Sequence, residues 1–119
     1  MSNINETGKI YERPWGTYQT LSFTKKSQTK IITVIPTGQL SLQKHFKRAE
    51  HWVVVNGVAT VTVGEKVFNL NKNESCYIPN RTRHRLQNLS EMSLEIVEVQ
   101  SGSYFGEDDI VRFDDNYGR

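Results

Sequence analysis

The sequence holds a single cysteine, Cys76, so no disulfide can close within the chain. Cys76 stands beside Tyr77-Ile78 in an apolar run, with no neighbouring motif to activate it. It reads as a small buried side chain rather than a nucleophile. Long hydrophobic runs are missing, and the N-terminus is polar, without the apolar core of a signal segment. A membrane partner is therefore not expected, and a cytoplasmic location is. Charge of one sign is also scarce: 15 Lys and Arg face 13 Asp and Glu, a net charge of +2. The basic residues are dispersed except in Lys44–Arg48 and Arg81–Arg85. That distribution lacks the basic stripe of a nucleic-acid binder. Two short basic clusters suit a small anionic substrate better. No glycine-rich phosphate loop occurs, so nucleotide-sugar synthesis is not expected of these residues. Internal repeats, low-complexity tracts, linkers and a convincing helical period are absent too.

What the chain does have is short β-rich segments separated by turn signals. At 119 residues it makes one domain. Residues 1–9 are polar and expected to be mobile, and 10–119 form the domain. Strands are expected at Tyr18–Phe23, Lys30–Ile35, Leu40–His45, Trp52–Val55, Ala59–Val63, Val67–Leu70, Ser75–Ile78, His84–Gln87 and Leu94–Gln100. Asn56-Gly57 predicts a hairpin between the fourth and fifth of these. Gly64-Glu65 predicts another turn. This spacing predicts an all-β protein, an antiparallel sandwich or barrel. The tail, Gly106–Arg119, is acidic and then aromatic, and leaves open whether it holds a short helix or wraps the barrel.

Within this frame Gln43, His45, Glu50 and His84 carry the chemistry. Residues i and i+2 of a strand point the same way, so Gln43 and His45 share a face and Lys44 points away. Glu50 follows after a short bend and leads into the next strand. Two imidazoles, a carboxylate and an amide oxygen make a shell for a borderline divalent cation. Zinc suits this mixed N/O set best, and manganese, iron, cobalt or nickel would also fit.

The same residues resemble the two motifs of the cupin family. Gly38, His45, Glu50 and Gly57 match the first, with Gln43 in place of its first histidine. Pro79, His84 and Asn88 match the second, with Asn73 and Arg81 in place of its two glycines. A narrower resemblance rests on Arg13-Pro-Trp-Gly16, Leu40-Ser-Leu-Gln43, Arg48-Ala-Glu-His-Trp52, Tyr77-Ile-Pro79, Gly106-Glu-Asp-Asp-Ile-Val-Arg112 and the closing Tyr117-Gly-Arg119. Together these are similar to the phosphomannose isomerase domain of bifunctional mannose-6-phosphate isomerase/mannose-1-phosphate guanylyltransferases, and they span roughly residues 10–119. The resemblance implies a cupin-type jelly roll and a metal-dependent interconversion of mannose 6-phosphate and fructose 6-phosphate. It implies a homodimer by analogy.

That reaction needs a base and a cationic seat. Leu94, Ile96, Glu98 and Gln100 share one strand face, and the first two belong in the core. Glu98 is thus carried inward, where burial would raise its pKa toward that of a useful base. Lys44, His51 and the Glu107–Asp109 cluster are the alternatives. The structural alternative for Glu98 is a buried ion pair with an arginine such as Arg112. Arg48, Arg81, Arg83, Arg85 and Arg112 are candidates for the phosphate, because guanidinium forks match its oxygens. Trp15 and Trp52 are expected in the core rather than as sugar platforms. The competing functions are isomerisation or epimerisation of another sugar phosphate or nucleotide-linked sugar, and non-catalytic metal or sugar binding.

Overall fold

The computed structural model describes residues 3–114, so the closing Tyr117-Gly-Arg119 lies outside the described residues. Among these the chain is all strand and loop. The strands are β1 (Ile10–Arg13), β2 (Gly16–Phe23), β3 (Ser27–Val34), β4 (Leu42–Lys44), β5 (Arg48–Asn56), β6 (Ala59–Val63), β7 (Lys66–Leu70), β8 (Ser75–Ile78), β9 (His84–Gln87), β10 (Leu94–Gly102) and β11 (Val111–Asp114). They form two sheets, a six-stranded one in the order β1-β2-β3-β10-β5-β8 and a five-stranded one in the order β11-β4-β9-β6-β7. Every strand pairing is antiparallel. This is the sandwich that the spacing of the β-rich segments predicts.

Alternation sets the inward faces. Arg48, Glu50, Trp52 and Val54 of β5 are buried, as are Gln28, Lys30, Ile32 and Val34 of β3 and Leu94, Ile96, Glu98 and Gln100 of β10. Register places these residues in rungs. Ile96 lies opposite Ile32 and Val54; Glu98 lies opposite Lys30 and Trp52; Gln100 lies opposite Gln28 and Glu50. The interior is therefore apolar at one end and polar at the other. The apolar end packs Val34, Leu94, Ile96, Val61 and Leu86, all at most 1 % exposed. Each such side chain contributes roughly 1.5–3 kcal/mol of burial. Trp15 and Trp52 join this core, as expected.

One local expectation is corrected. Asn56-Gly57 does not close a hairpin. Asn56 pairs with Glu95 of β10, and the chain then leaves for the other sheet. Gly57 is required there, because its φ is +89° and a Cβ would meet the Ser93 carbonyl oxygen at 2.7 Å. The tight hairpin lies at Gly64-Glu65 instead, where Val63 pairs with Lys66. Of the two readings open for the tail, its described residues take the second: Val111–Asp114 form β11, paired with β4, and β1 adds an edge to β2. Finally, the N-terminal stretch lies against the sheet from Asn3 onward. Thr7 bridges Thr20, and Asn5 is buried, accepting a hydrogen bond from the Tyr18 hydroxyl at 3.1 Å.

Asn73 and Arg81, which stand where the second motif has glycines, have φ of 73° and 64°. The backbone thus keeps a left-handed turn after glycine has gone, and Arg81 N–H donates to the His45 carbonyl at 2.6 Å. Left-handed geometry costs a non-glycine residue roughly 1–2 kcal/mol. Arg81→Gly is therefore expected to leave stability unchanged or raise it by up to ~1 kcal/mol, after the entropy that glycine loses on folding. Arg81→Val should lower it by about 1–2 kcal/mol. Urea denaturation measures both, and equal stability of the two variants would mean that the turn is not what position 81 supplies.

Candidate metal centre

A cavity of about 150 Å³ opens at the polar end of the interior. It gathers Gln43, His45, Arg48, Glu50, His84, Glu98 and Arg112, together with Trp15 and Trp52 as apolar wall. Gln43 of β4 and His84 of β9 are direct cross-strand partners in one sheet. Glu50 and Glu98 reach in from the other. His45 follows β4 directly and is 3 % exposed.

The three residues His45, Glu50 and His84 bring their ligand atoms within 4.8 Å of one another. His45 Nε2 lies 3.4 Å from one oxygen of Glu50, and His84 Nε2 lies 3.6 Å from the other. The opposite ring nitrogens are tied to the backbone: His45 Nδ1 to Asp109 O at 2.7 Å, and His84 Nδ1 to Thr82 O at 2.9 Å. A carbonyl oxygen can only accept, so each Nδ1 carries a proton and each ring turns its Nε2 inward; His45 Nε2 accepts from Arg48 Nη2 at 3.2 Å, a place that a bound cation would take over. This is how imidazole ligands of metals are commonly oriented. Burial, then the Arg48 charge, then His84, push the His45 pKa down to about 3. Its ring is neutral at ordinary pH, as a ligand must be. Burial alone would raise Glu50, but the neighbouring Arg48 guanidinium and His84 outweigh it and hold the carboxyl below its ordinary value. Gln43 borders the same space, with its amide nitrogen 3.5 Å from Ser41 O. The donor set thus fits a divalent cation: two imidazoles, one carboxylate and one amide.

Glu98 is 5 % exposed, and both its oxygens are occupied. Trp52 Nε1 donates to one at 2.8 Å, and Gln100 Nε2 donates to the other at 2.6 Å. Gln28 Nε2 in turn donates to Gln100 Oε1 at 2.7 Å. Burial first, and then the charge of Glu50, raise the Glu98 pKa. The cations that act on it are Lys30 and Arg48 rather than Arg112.

The remaining basic candidates do not line the cavity. Lys44 points outward, its ammonium 5.1 Å from the Phe46 ring and 5.6 Å from the Phe113 ring. Arg81 and Arg83 are exposed, and Arg83 lies over Phe113. Arg85 alternates with buried His84 and Leu86, so β9 turns it away from them. The cations that do line it, besides Arg48 and Arg112, are Arg13 and Lys30, with Tyr18 and Glu107 beside them. Lys30 was findable: Gln28, Lys30, Ile32 and Val34 alternate as one face, as do Leu94 to Gln100.

These residues match a known pattern along nearly the whole chain. The family model described as mannose-6-phosphate isomerase C-terminal matches residues 2–115. The chain belongs to this family. Among curated relatives, it is 57 % identical over 111 residues to the xanthan biosynthesis protein XanB of Xanthomonas campestris pv. campestris, covering 93 % of this chain and 24 % of the relative. It is 57 % identical over 107 residues to the alginate biosynthesis protein AlgA of Pseudomonas putida (90 % and 22 %). Mannose-1-phosphate guanylyltransferase ManC of Salmonella typhimurium is 51 % identical over 107 residues (90 % and 22 %). The chain spans about a quarter of the length of these relatives. Among solved structures, oxalate decarboxylase from Bacillus subtilis superposes with a TM-score of 0.79 at 18 % identity, covering 88 % of this chain and 30 % of that one. KdgF from Halomonas sp. gives 0.74 at 15 % identity (84 % and 89 %). A cupin domain from Schizosaccharomyces pombe Cnp3 gives 0.68 at 11 % identity (72 % and 64 %). Likeness at these identities shows the cupin fold.

Two outcomes are expected. His45→Ala and His84→Ala should each lower affinity for a divalent ion sharply, by at least ~100-fold, and Gln43→Ala by less. Calorimetric titration of chelator-treated protein measures this, and stoichiometric binding in the double histidine variant would remove the assignment. Burial, then Glu50, push the Cys76 thiol up to about 11. Thiolate forms only as pH rises through that value, so alkylation at pH 8 should run about a hundredfold slower than at a thiol of pKa 9. Mass spectrometry of iodoacetamide-treated protein measures the rate, and reaction as fast as a free thiol would contradict it.

Proposed function

We propose that this domain interconverts mannose 6-phosphate and fructose 6-phosphate, with a divalent metal, zinc by preference, held by Gln43, His45, Glu50 and His84. The observation that carries the reading is the position of Glu98. A buried carboxylate with a raised pKa shares one small cavity with a His/Glu/His cluster, in a chain of the mannose-6-phosphate isomerase C-terminal family. A bound divalent ion would supply a Lewis acid that polarises the sugar carbonyl.

The chain's own residues account for the rest. Trp52 and Gln100 fix the two Glu98 oxygens by N–H donation, so the carboxylate is aimed rather than free to rotate. Its remaining lone pairs can take the proton from C2 of the open-chain aldose. The C2–H electrons form the C1–C2 double bond, and the carbonyl oxygen gains a proton, giving an enediol. Return of the proton to C1, with loss of the O2 proton, gives the ketose. Glu98 ends as it began, and no oxidant is needed. A base of raised pKa suits both halves, since it must accept and then release the same proton near neutral pH. Trp15 and Trp52 keep the wall apolar and limit water around the enediol. Arg112 borders the cavity from β11 and adds a positive charge at its exposed side.

Glu98→Gln keeps the size of the side chain and removes the basic oxygen. It should lower turnover about 10²- to 10⁴-fold with metal content unchanged. A coupled aldose–ketose assay with several sugar phosphates, with and without chelator, measures this. Near-normal turnover in folded, metal-loaded Glu98→Gln would reject Glu98 as the base. Turnover that survives full metal removal would reject the metal-dependent reaction.

A further inference from the structure

At the cavity wall formed by β3 and β5, two buried cations share one carboxylate. Lys30 is 4 % exposed and Arg48 is 6 % exposed. Lys30 Nζ lies 3.5 Å and Arg48 Nη1 lies 3.8 Å from the same oxygen of Glu107. Charge-assisted N–H···O contacts normally close to about 2.7–2.9 Å, so neither cation is well served. The rest of Arg48 is committed: Nε donates to Glu50 at 3.0 Å and Nη2 to His45 Nε2 at 3.2 Å. Its Nη1 is buried with no hydrogen-bond partner. Lys30 has the Tyr18 ring face at 4.5 Å from its ammonium, which leaves its other direction to Glu107. Glu107 itself is the least buried of the three, with 38 % of its side chain exposed. It belongs to the loop between β10 and β11.

We propose that Lys30 and Arg48 form the anion seat of the cavity, and that Glu107 fills this seat until the phosphate of a sugar phosphate displaces it. The nature of the ligand rests on the sugar-phosphate reading above; the seat itself does not. The exchange is favoured by charge and by geometry. Glu107 offers one oxygen between two cations, at long distance from both. A phosphate ester offers three terminal oxygens and between one and a half and two negative charges at pH 7. One oxygen can meet Arg48 Nη1 and another Lys30, so the orphaned donor gains a partner. Glu107 loses little on leaving, because it is already partly in water. The seat is also on the same wall as Glu98, whose cross-strand neighbour is Lys30. A phosphate held there would tether the substrate beside the proposed base.

The test uses three probes on the full chain, metal-loaded and chelator-treated: inorganic phosphate, mannose 6-phosphate and mannose. Calorimetry gives the affinities. Lys30→Met should weaken phosphate and mannose 6-phosphate at least ~10-fold, the scale of one lost charge-assisted bond, and leave mannose unchanged. Glu107→Gln should tighten phosphate about 5-fold or more, because the competing charge has gone. Glu107→Asp draws the charge back from both cations and should also tighten it, which covers the case in which Glu107→Gln does not fold. Phosphate affinity unaltered in Lys30→Met and in the folded Glu107 variants would overturn the seat. So would phosphate binding that disappears on chelation, since the anion would then sit on the metal. If phosphate responds as expected while mannose 6-phosphate is bound but not turned over, the seat stands and the isomerase reading falls.

Discussion

A bare carboxylate at the depth of Glu50 would cost several kcal/mol of lost hydration. It is 2 % exposed, and what makes it tolerable is the Arg48 guanidinium at 3.0 Å. The Nε2 atoms of the two imidazoles lie at 3.4 and 3.6 Å on separate oxygens, where a bound cation would join all three side chains. Each of these groups is in turn held by something further out: the rings by backbone carbonyls of the 82 and 109 segments, and Arg48 by Glu107. The polar end of the sandwich is thus one connected set of charges. Removing Glu50 would leave Arg48 buried against a vacancy, and the loss would spread to both sheets.

This polar end is embedded in an ordinary β core, and the transition between them takes one rung. Ile96 with Ile32 and Val54 is wholly apolar; the next rung brings in Glu98 and Lys30. Both sheets contribute, so the cavity depends on the distance between sheets as well as on register within one. The side chains of Trp15 and Trp52 span that junction, packing into the core on one side and bordering the cavity on the other.

Period-two alternation made β5 and β10 legible, along with the inward orientation of Glu50, Trp52 and Glu98. The His/Glu/His set was legible for the same reason, with the spacing of two motifs behind it. Other features were not, and the causes are physical. β1 and β11 are edge strands, and Ile10–Arg13 and residues 111–113 are exposed or half-buried, so no hydrophobic pattern marks them. They exist because a neighbouring strand offers backbone hydrogen bonds. Asn56-Gly57 has the chemistry of a hairpin turn, but its partner is chosen by β10, which is far away in sequence. The arginines around His84 look like one basic cluster on paper. Only Arg85 lies in β9, where it alternates with His84 and Leu86, while Arg81 and Arg83 are exposed in the loop before it. Lys30 is a charged residue at a strand's expected start, where side chains are usually solvated, and only the parity it shares with Gln28, Ile32 and Val34 marks it as inward.

The loop between β10 and β11 holds two of these groups at once. Asp109 O fixes the His45 ring, Asp109 Oδ1 and Oδ2 accept from the Phe46 and Lys47 amides at 3.1 and 2.9 Å, and Glu107, two residues earlier, spans Lys30 and Arg48. Asn3 O adds a tether by accepting from Glu107 N–H at 2.9 Å. One short segment therefore orients an imidazole and neutralises two cations. Thermodynamic reciprocity follows from that shared support. By whatever factor an anion at Lys30 and Arg48 alters the affinity of the histidines for a cation, the cation alters the anion's affinity by the same factor.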